Sequence, residues 1–157
     1  MSVDNMTKYE IYKEQFKRLK LALKNGFNLE AIFIEYAIIE DRTESVLRHA
    51  GKWDAYLKSL RGRNPSIDSK IKYIKKLSEN KKDLSNKYFA DDGLLDNILT
   101  WKEERNRLIH ALLKQDFEHD EIRNLALDGE TLLNALKRKV GNYNRAIERR
   151  KMTEETE

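Results

Sequence analysis

A chain of 157 residues with net charge +4, 37% charged residues, one proline, six glycines and no cysteine has the composition of a single helical domain. It excludes a disulfide framework, a cysteine metal site and a thiol nucleophile. No apolar run approaches the ~18 residues that a membrane helix needs, and the polar opening MSVDNMTKYE holds no apolar signal core; the expectation is a soluble, cytoplasmic protein whose mild positive charge permits nucleic-acid binding without demanding it.

The first predicted helix covers about Thr7 to Lys24. Tyr9, Ile11 or Tyr12, Phe16, Leu19, Leu21 and Leu23 give it an untidy apolar face, and Asn25-Gly26 stops it. The second starts at Asn28 as N-cap and runs to Ala50, before Gly51. Its apolar stripe is Leu29, Ile32, Phe33, Tyr36, Ile39, Thr43, Val46 and Leu47, and its other face carries Glu35, Glu40, Asp41 and Glu44. Clustered carboxylates on a helix raise a di-iron question, but that site needs Glu-x-x-His units on facing helices. None occurs, so no metal and no cofactor is expected. These acids are assigned to a solvated face, to pairing with Arg42 or Arg48, or to orienting a site arginine.

Trp53 to Asn64 reads as a short amphipathic piece, and Pro65-Ser66 opens a helix whose stripe is Ile67, Ile71, Ile74 and Leu77. From Lys52 to Lys87 eleven cations face four acids, with Tyr73, Tyr88 and Phe89 interleaved. Lysines on phosphates beside aromatic faces suit an RNA-tracking surface, and Lys70, Lys72, Lys75 and Lys76 are its candidates. The competing reading is a solvated helix face followed by a flexible loop over Glu79 to Asn86.

Asp91-Asp92-Gly93 opens the next helix, which ends near Gln115-Asp116. Its stripe runs Leu94, Leu95, Ile98, Leu99, Trp101, Leu108, Ile109, Leu112 and Leu113. Continuing it from Ile98 and Trp101 lands on Arg105. A guanidinium on an apolar stripe is costly unless it is paired or faces a cleft or a partner. Asn106 and His110 are four apart and share a face; Arg105 and His110 are five apart, about 140° around the axis and about 7.5 Å along it. The last helix covers Glu118 to Arg150, with Gly129 and Gly141 inside it, and a break or a close helix approach is expected at Gly129. One domain spans 1–151, followed by a disordered acidic tail over 152–157.

The run Arg105-Asn106-Arg107-Leu108-Ile109-His110 resembles the signature of the HEPN superfamily, an arginine, often followed by a polar residue, with a histidine four to six residues on. The resemblance implies an all-α, HEPN-like bundle of four to five main helices that dimerises through the motif helix. It implies a metal-independent endoribonuclease of a defence or toxin–antitoxin system, with a composite active site at the homodimer interface. Arg105, Asn106 and His110 would be catalytic, and Arg107 would reach solvent or phosphate. RNA is the expected substrate, and an antitoxin or other regulatory protein a further partner. In toxins paired with a small nucleotidyltransferase the motif continues as His-x-Tyr; here that position is Leu112, which speaks against that mode of control. Two other readings stand beside this one. The chain could be a catalytically inactive HEPN-like module that binds a nucleotide, a nucleic acid or a partner protein, or an unrelated helical interaction protein. For His110 itself the plain alternative is a core or interface histidine bonded to a backbone or carboxylate group; His49 and His119 are read as structural or exposed.

Overall fold

A computed structural model describes residues 5–90, 93–112, 114 and 119–154. The described residues are all-helical, with seven helices: α1 (Asn5–Lys24), α2 (Asn28–His49), α3 (Trp53–Ser59), α4 (Ile67–Ser78), α5 (Leu84–Phe89), α6 (Leu94–Ala111) and α7 (His119–Glu154). None of them is long and apolar enough to cross a membrane. Residues 1–37 and 101–130 form one compact unit and residues 38–100 and 131–157 a second.

The segment expected to be a loop over Glu79 to Asn86 is in part helical. Asp83 adopts extended backbone and its carboxylate accepts from the Ser85 amide at 2.8 Å and the Ser85 hydroxyl at 2.6 Å, which caps α5. α4 starts on a capping box: the Ser66 hydroxyl accepts from the Ser69 amide, and the Ser69 hydroxyl accepts from the Ser66 amide. α6 closes at Ala111, short of Gln115-Asp116; that expected end and the Asp91-Asp92 start lie outside the described residues. α7 runs unbroken through Gly129 and Gly141 and takes in Met152, Thr153 and Glu154, three residues assigned from sequence to a disordered tail; 155–157 lie outside the described residues.

In the first unit the core is Leu19 and Ala22 of α1, Ala31 and Ile32 of α2, Trp101 and Leu108 of α6, and Leu125 and Ala126 of α7, all buried. The Trp101 indole N–H donates to the Leu125 carbonyl at 2.9 Å, which satisfies the one polar atom of a buried ring. The second unit packs Ile39, Val46 and Leu47 of α2, Tyr56 of α3, the Ile67–Ile71–Ile74 stripe of α4, Ile98 of α6, and Leu133, Leu136, Val140 and Tyr143 of α7. Phe89 and Tyr143 meet edge to face, ring centroids 5.3 Å apart.

α2 departs from its expected stripe. Glu35, expected on the face opposite the stripe, has no exposed surface, and Phe33, expected within the stripe, is 53% exposed. Ile34, Ile38 and Ser45 are buried together with Ile32, Ile39 and Val46, so the helix is enclosed on more than one side. A one-stripe reading assumes a surface helix and fails for such an element.

Candidate functional site

Arg105 sits on α6 one turn beyond Trp101, in the first unit. It is half-buried. Its guanidinium carbon lies 4.3 Å from the Tyr36 ring centroid and 5.3 Å from that of Phe33, both on α2. Such contacts are worth roughly 0.5–2 kcal/mol each, more as water is excluded. One terminal nitrogen donates to the Asn106 side-chain oxygen at 3.0 Å. Its Nε is buried without a hydrogen-bond partner. Among the described residues no carboxylate pairs with it. Arg105 is thus a cation braced by two rings and an amide, its charge met by no carboxylate among the described residues. The two rings belong to Phe33 and Tyr36, members of the apolar stripe expected for α2.

His110 is exposed, and among the described residues it makes no hydrogen bond or ion pair. This does not match a core histidine tied to a backbone or carboxylate group. Asn106 is half-buried and engaged by Arg105. Arg107 is exposed and ion-paired with Glu104 at 3.0 Å and Glu121 at 3.9 Å. Pairs of this kind are worth about 0–1 kcal/mol and do not prevent Arg107 from meeting a phosphate.

On α2, between the two residues whose rings meet Arg105, lies a feature not expected from the sequence. Glu35 is enclosed, and neither carboxylate oxygen has a hydrogen-bond partner. Desolvation, with the Glu130 carboxylate adding to it, raises its pKa from the ordinary 4.5 to about 9, so it is a neutral acid at pH 7. A Cβ on Gly129 would collide with the Glu35 carboxyl and come within 2.8 Å of the Trp101 ring. The close approach expected at Gly129 is therefore present. Its signal was a glycine inside an otherwise regular helix, but that signal does not say what fills the space.

The four lysines of the α4 segment do not form one surface. Lys70 is 2% exposed, with its ammonium 3.4 Å from Glu40 and 3.3 Å from Glu44, so it is an internal ion pair and not a phosphate contact. This corrects its assignment to RNA: a long side chain inside the isoleucine stripe of α4 reaches the acids of α2. Lys75 is paired with Asp96. Lys72 and Lys76 stay exposed and, with Arg63 and Tyr73, line an open cleft of about 440 Å³ that also holds Asp68. The carboxylates read from sequence as one face are dispersed: Glu35 is internal, Asp41 pairs with Arg42, and Glu40 and Glu44 serve Lys70. Among the described residues no group of three or more His, Asp and Glu is placed to hold a metal ion.

The His49 Nδ1–H donates to the Ser45 carbonyl oxygen at 2.9 Å, and its Nε2 stands 3.8 Å from Glu148, a structural role; His119 is exposed. No family model, no curated protein and no solved structure matches this chain.

Proposed function

We propose that this chain is a metal-independent endoribonuclease of the HEPN kind, working as a homodimer within a defence or toxin–antitoxin system. The observation that carries the reading is Arg105, a cation held by Tyr36, Phe33 and Asn106 with no carboxylate neutralising it among the described residues. A guanidinium in that state suits an anionic phosphate, whose oxygens match its planar fork. The exposed His110 on the same helix, without a partner among the described residues, supplies a group able to exchange a proton near neutrality.

In the proposed reaction the ribose 2′-oxygen attacks the adjacent phosphorus. A P–O2′ bond forms and the P–O5′ bond breaks. One imidazole takes the 2′ proton and an acid returns a proton to the leaving 5′-oxygen. Arg105 stabilises the charge that builds on the phosphate, and Asn106 orients Arg105. One chain has a single such His–Arg set, about 140° apart on α6. Two α6 helices related by a two-fold axis would supply two imidazoles and two guanidinia to one cleft. RNA is then the substrate, and a protein that covers this face of α6 is the natural restraint.

The test is cleavage of structured RNA by purified protein in EDTA, beside His110→Ala, with the ends analysed. Cutting by the parent alone, leaving 2′,3′-cyclic phosphate and 5′-hydroxyl ends, is the expected result, with a loss of at least about a hundredfold in the variant. Equal cutting by both proteins overturns the assignment. The angular separation of Arg105 and His110 within one chain favours a second reading, a catalytically silent module that binds a nucleotide, nucleic acid or protein. Absence of cutting by a folded dimer would select it.

A further inference from the structure

Tyr36 of α2 lies in the same compact unit as Arg105 and His110 of α6. The Arg105 guanidinium carbon stands over the Tyr36 ring, 4.3 Å from its centroid, and 5.3 Å from the centroid of Phe33. Phe33 and Tyr36 are three apart on α2 and share a face. A bare ring is enough to meet a guanidinium, and Phe33 does so without a hydroxyl. The stacking therefore leaves the Tyr36 hydroxyl unused.

The surroundings of that hydroxyl set Tyr36 apart from two other tyrosines. Tyr56 is buried, and its hydroxyl lies 2.7 Å from that of Ser69. Tyr143 is buried, and its hydroxyl is enclosed without a hydrogen-bond partner. Tyr36 is half-buried, and its hydroxyl is neither enclosed nor hydrogen-bonded among the described residues. A phenol held by its ring and open at its oxygen keeps one O–H to give, and few rotatable bonds place that oxygen, so ordering it costs little entropy. Arg105 is open in the same way. Its Nη1 donates to Asn106, whereas its Nη2 is neither enclosed nor bonded among the described residues. The phenol oxygen belongs to the ring that the guanidinium covers, so the two open donors are close enough to serve different oxygens of one phosphate.

We propose that Tyr36 is a further catalytic residue of the cleavage site, its hydroxyl donating to a non-bridging oxygen of the reacting phosphate while Arg105 holds another. This rests on the reading of Arg105 and His110 given above and adds a residue from outside the motif helix. The phenol transfers no proton. It stabilises the charge that builds on the phosphate, and the bonds made and broken are those already stated. A neutral donor suits this place, because a second cation against Arg105 would repel it, whereas a phenol adds a hydrogen bond without charge.

Tyr36→Phe keeps the ring under the guanidinium and removes only the oxygen. The test compares parent and variant, at equal dimer content in sedimentation, on an RNA that the parent cuts in EDTA. It repeats the comparison on the same RNA with sulfur in place of each non-bridging oxygen of the reacting phosphate in turn. Tyr36→Phe is expected to lower kcat by at least about tenfold with KM little changed. Sulfur accepts hydrogen bonds more weakly, so the gap between parent and variant should shrink in one of the two diastereomers, a readout that a merely structural role would not move. Tyr9→Phe, at an exposed ring of α1, should cut as the parent does. Parental rates in Tyr36→Phe, equal losses in Tyr9→Phe, a gap undiminished in both diastereomers, or a loss that comes with dissociation into monomers overturns the assignment. If the parent cuts, His110→Ala does not, and Tyr36→Phe matches the parent, this assignment alone falls. If the parent cuts nothing, the cleavage reading and this assignment fall together.

Discussion

Glu35 is the residue whose environment departs furthest from what its chemistry favours. Its carboxyl has no exposed surface and no hydrogen-bond partner, and it survives there as the neutral acid because desolvation raises its pKa to about 9. The unfolded chain ionises at the ordinary 4.5, so between pH 4.5 and 9 the native state holds a proton that the unfolded state has lost. Stability from this group is complete below pH 4.5 and falls as pH rises toward 9, at up to about 1.4 kcal/mol per pH unit. Glu35→Gln keeps the shape and removes the titration. It is expected to be more stable than the parent by roughly 3 kcal/mol at pH 7, with a flatter profile, as read from denaturant unfolding at pH 5, 7 and 8.5. An unchanged slope in the variant would mean that Glu35 is ionised in the native state. Arg105 shows the opposite economy. It keeps its charge and exchanges part of its hydration for two ring faces and one amide.

At the scale of elements, α7 approaches α2 and α6 within the first unit only because position 129 lacks a side chain. Gly129→Ala gains about 1 kcal/mol of helix propensity but places a methyl group against the Glu35 carboxyl and 2.8 Å from a Trp101 ring anchored by its bond to Leu125. Overpacking of this kind costs about 1–3 kcal/mol, so the clash exceeds the propensity gain and the variant should melt lower. Adding Glu35→Ala should restore much of the loss. A thermodynamic cycle over the two substitutions would then give a coupling of about 1 kcal/mol or more, and simple additivity would place the clash elsewhere. The same packing explains why α2 misled a reading by stripe. Helical periodicity identifies a face only when a helix has one dry side, and α2 is covered on more than one.

For the molecule as a whole, the proposed chemistry requires more than one chain. If His110 and Arg105 act from two copies, the specific activity per chain should fall on dilution below the dimer dissociation constant, in step with a change from twice the chain mass to the chain mass in sedimentation. Activity that persists undiminished in the monomer would remove the composite site and leave a single-chain mechanism to be found.

All-helical character was legible without coordinates, because one proline, six glycines and 3.6-residue stripes leave strands little support. The boundary before α2, the isoleucine stripe of α4 and the close approach at Gly129 were legible as well, since a glycine stop, periodicity and a glycine within a helix are local signals; Asn28, expected as the N-cap, is instead the first residue of the helix, and the Phe27 carbonyl accepts from the Ala31 amide. So was the oddity of Arg105, a cation interrupting an apolar stripe. Only the tertiary structure decided what answers that cation, because Phe33 and Tyr36 lie some seventy residues away in sequence and their spacing fits a core face equally well. It also decided that Glu35 is internal and Lys70 paired with Glu40 and Glu44, while Lys72 and Lys76 remain in solvent. Burial of a long charged side chain depends on which helices surround it, and that is a property of packing that no single stretch of sequence carries.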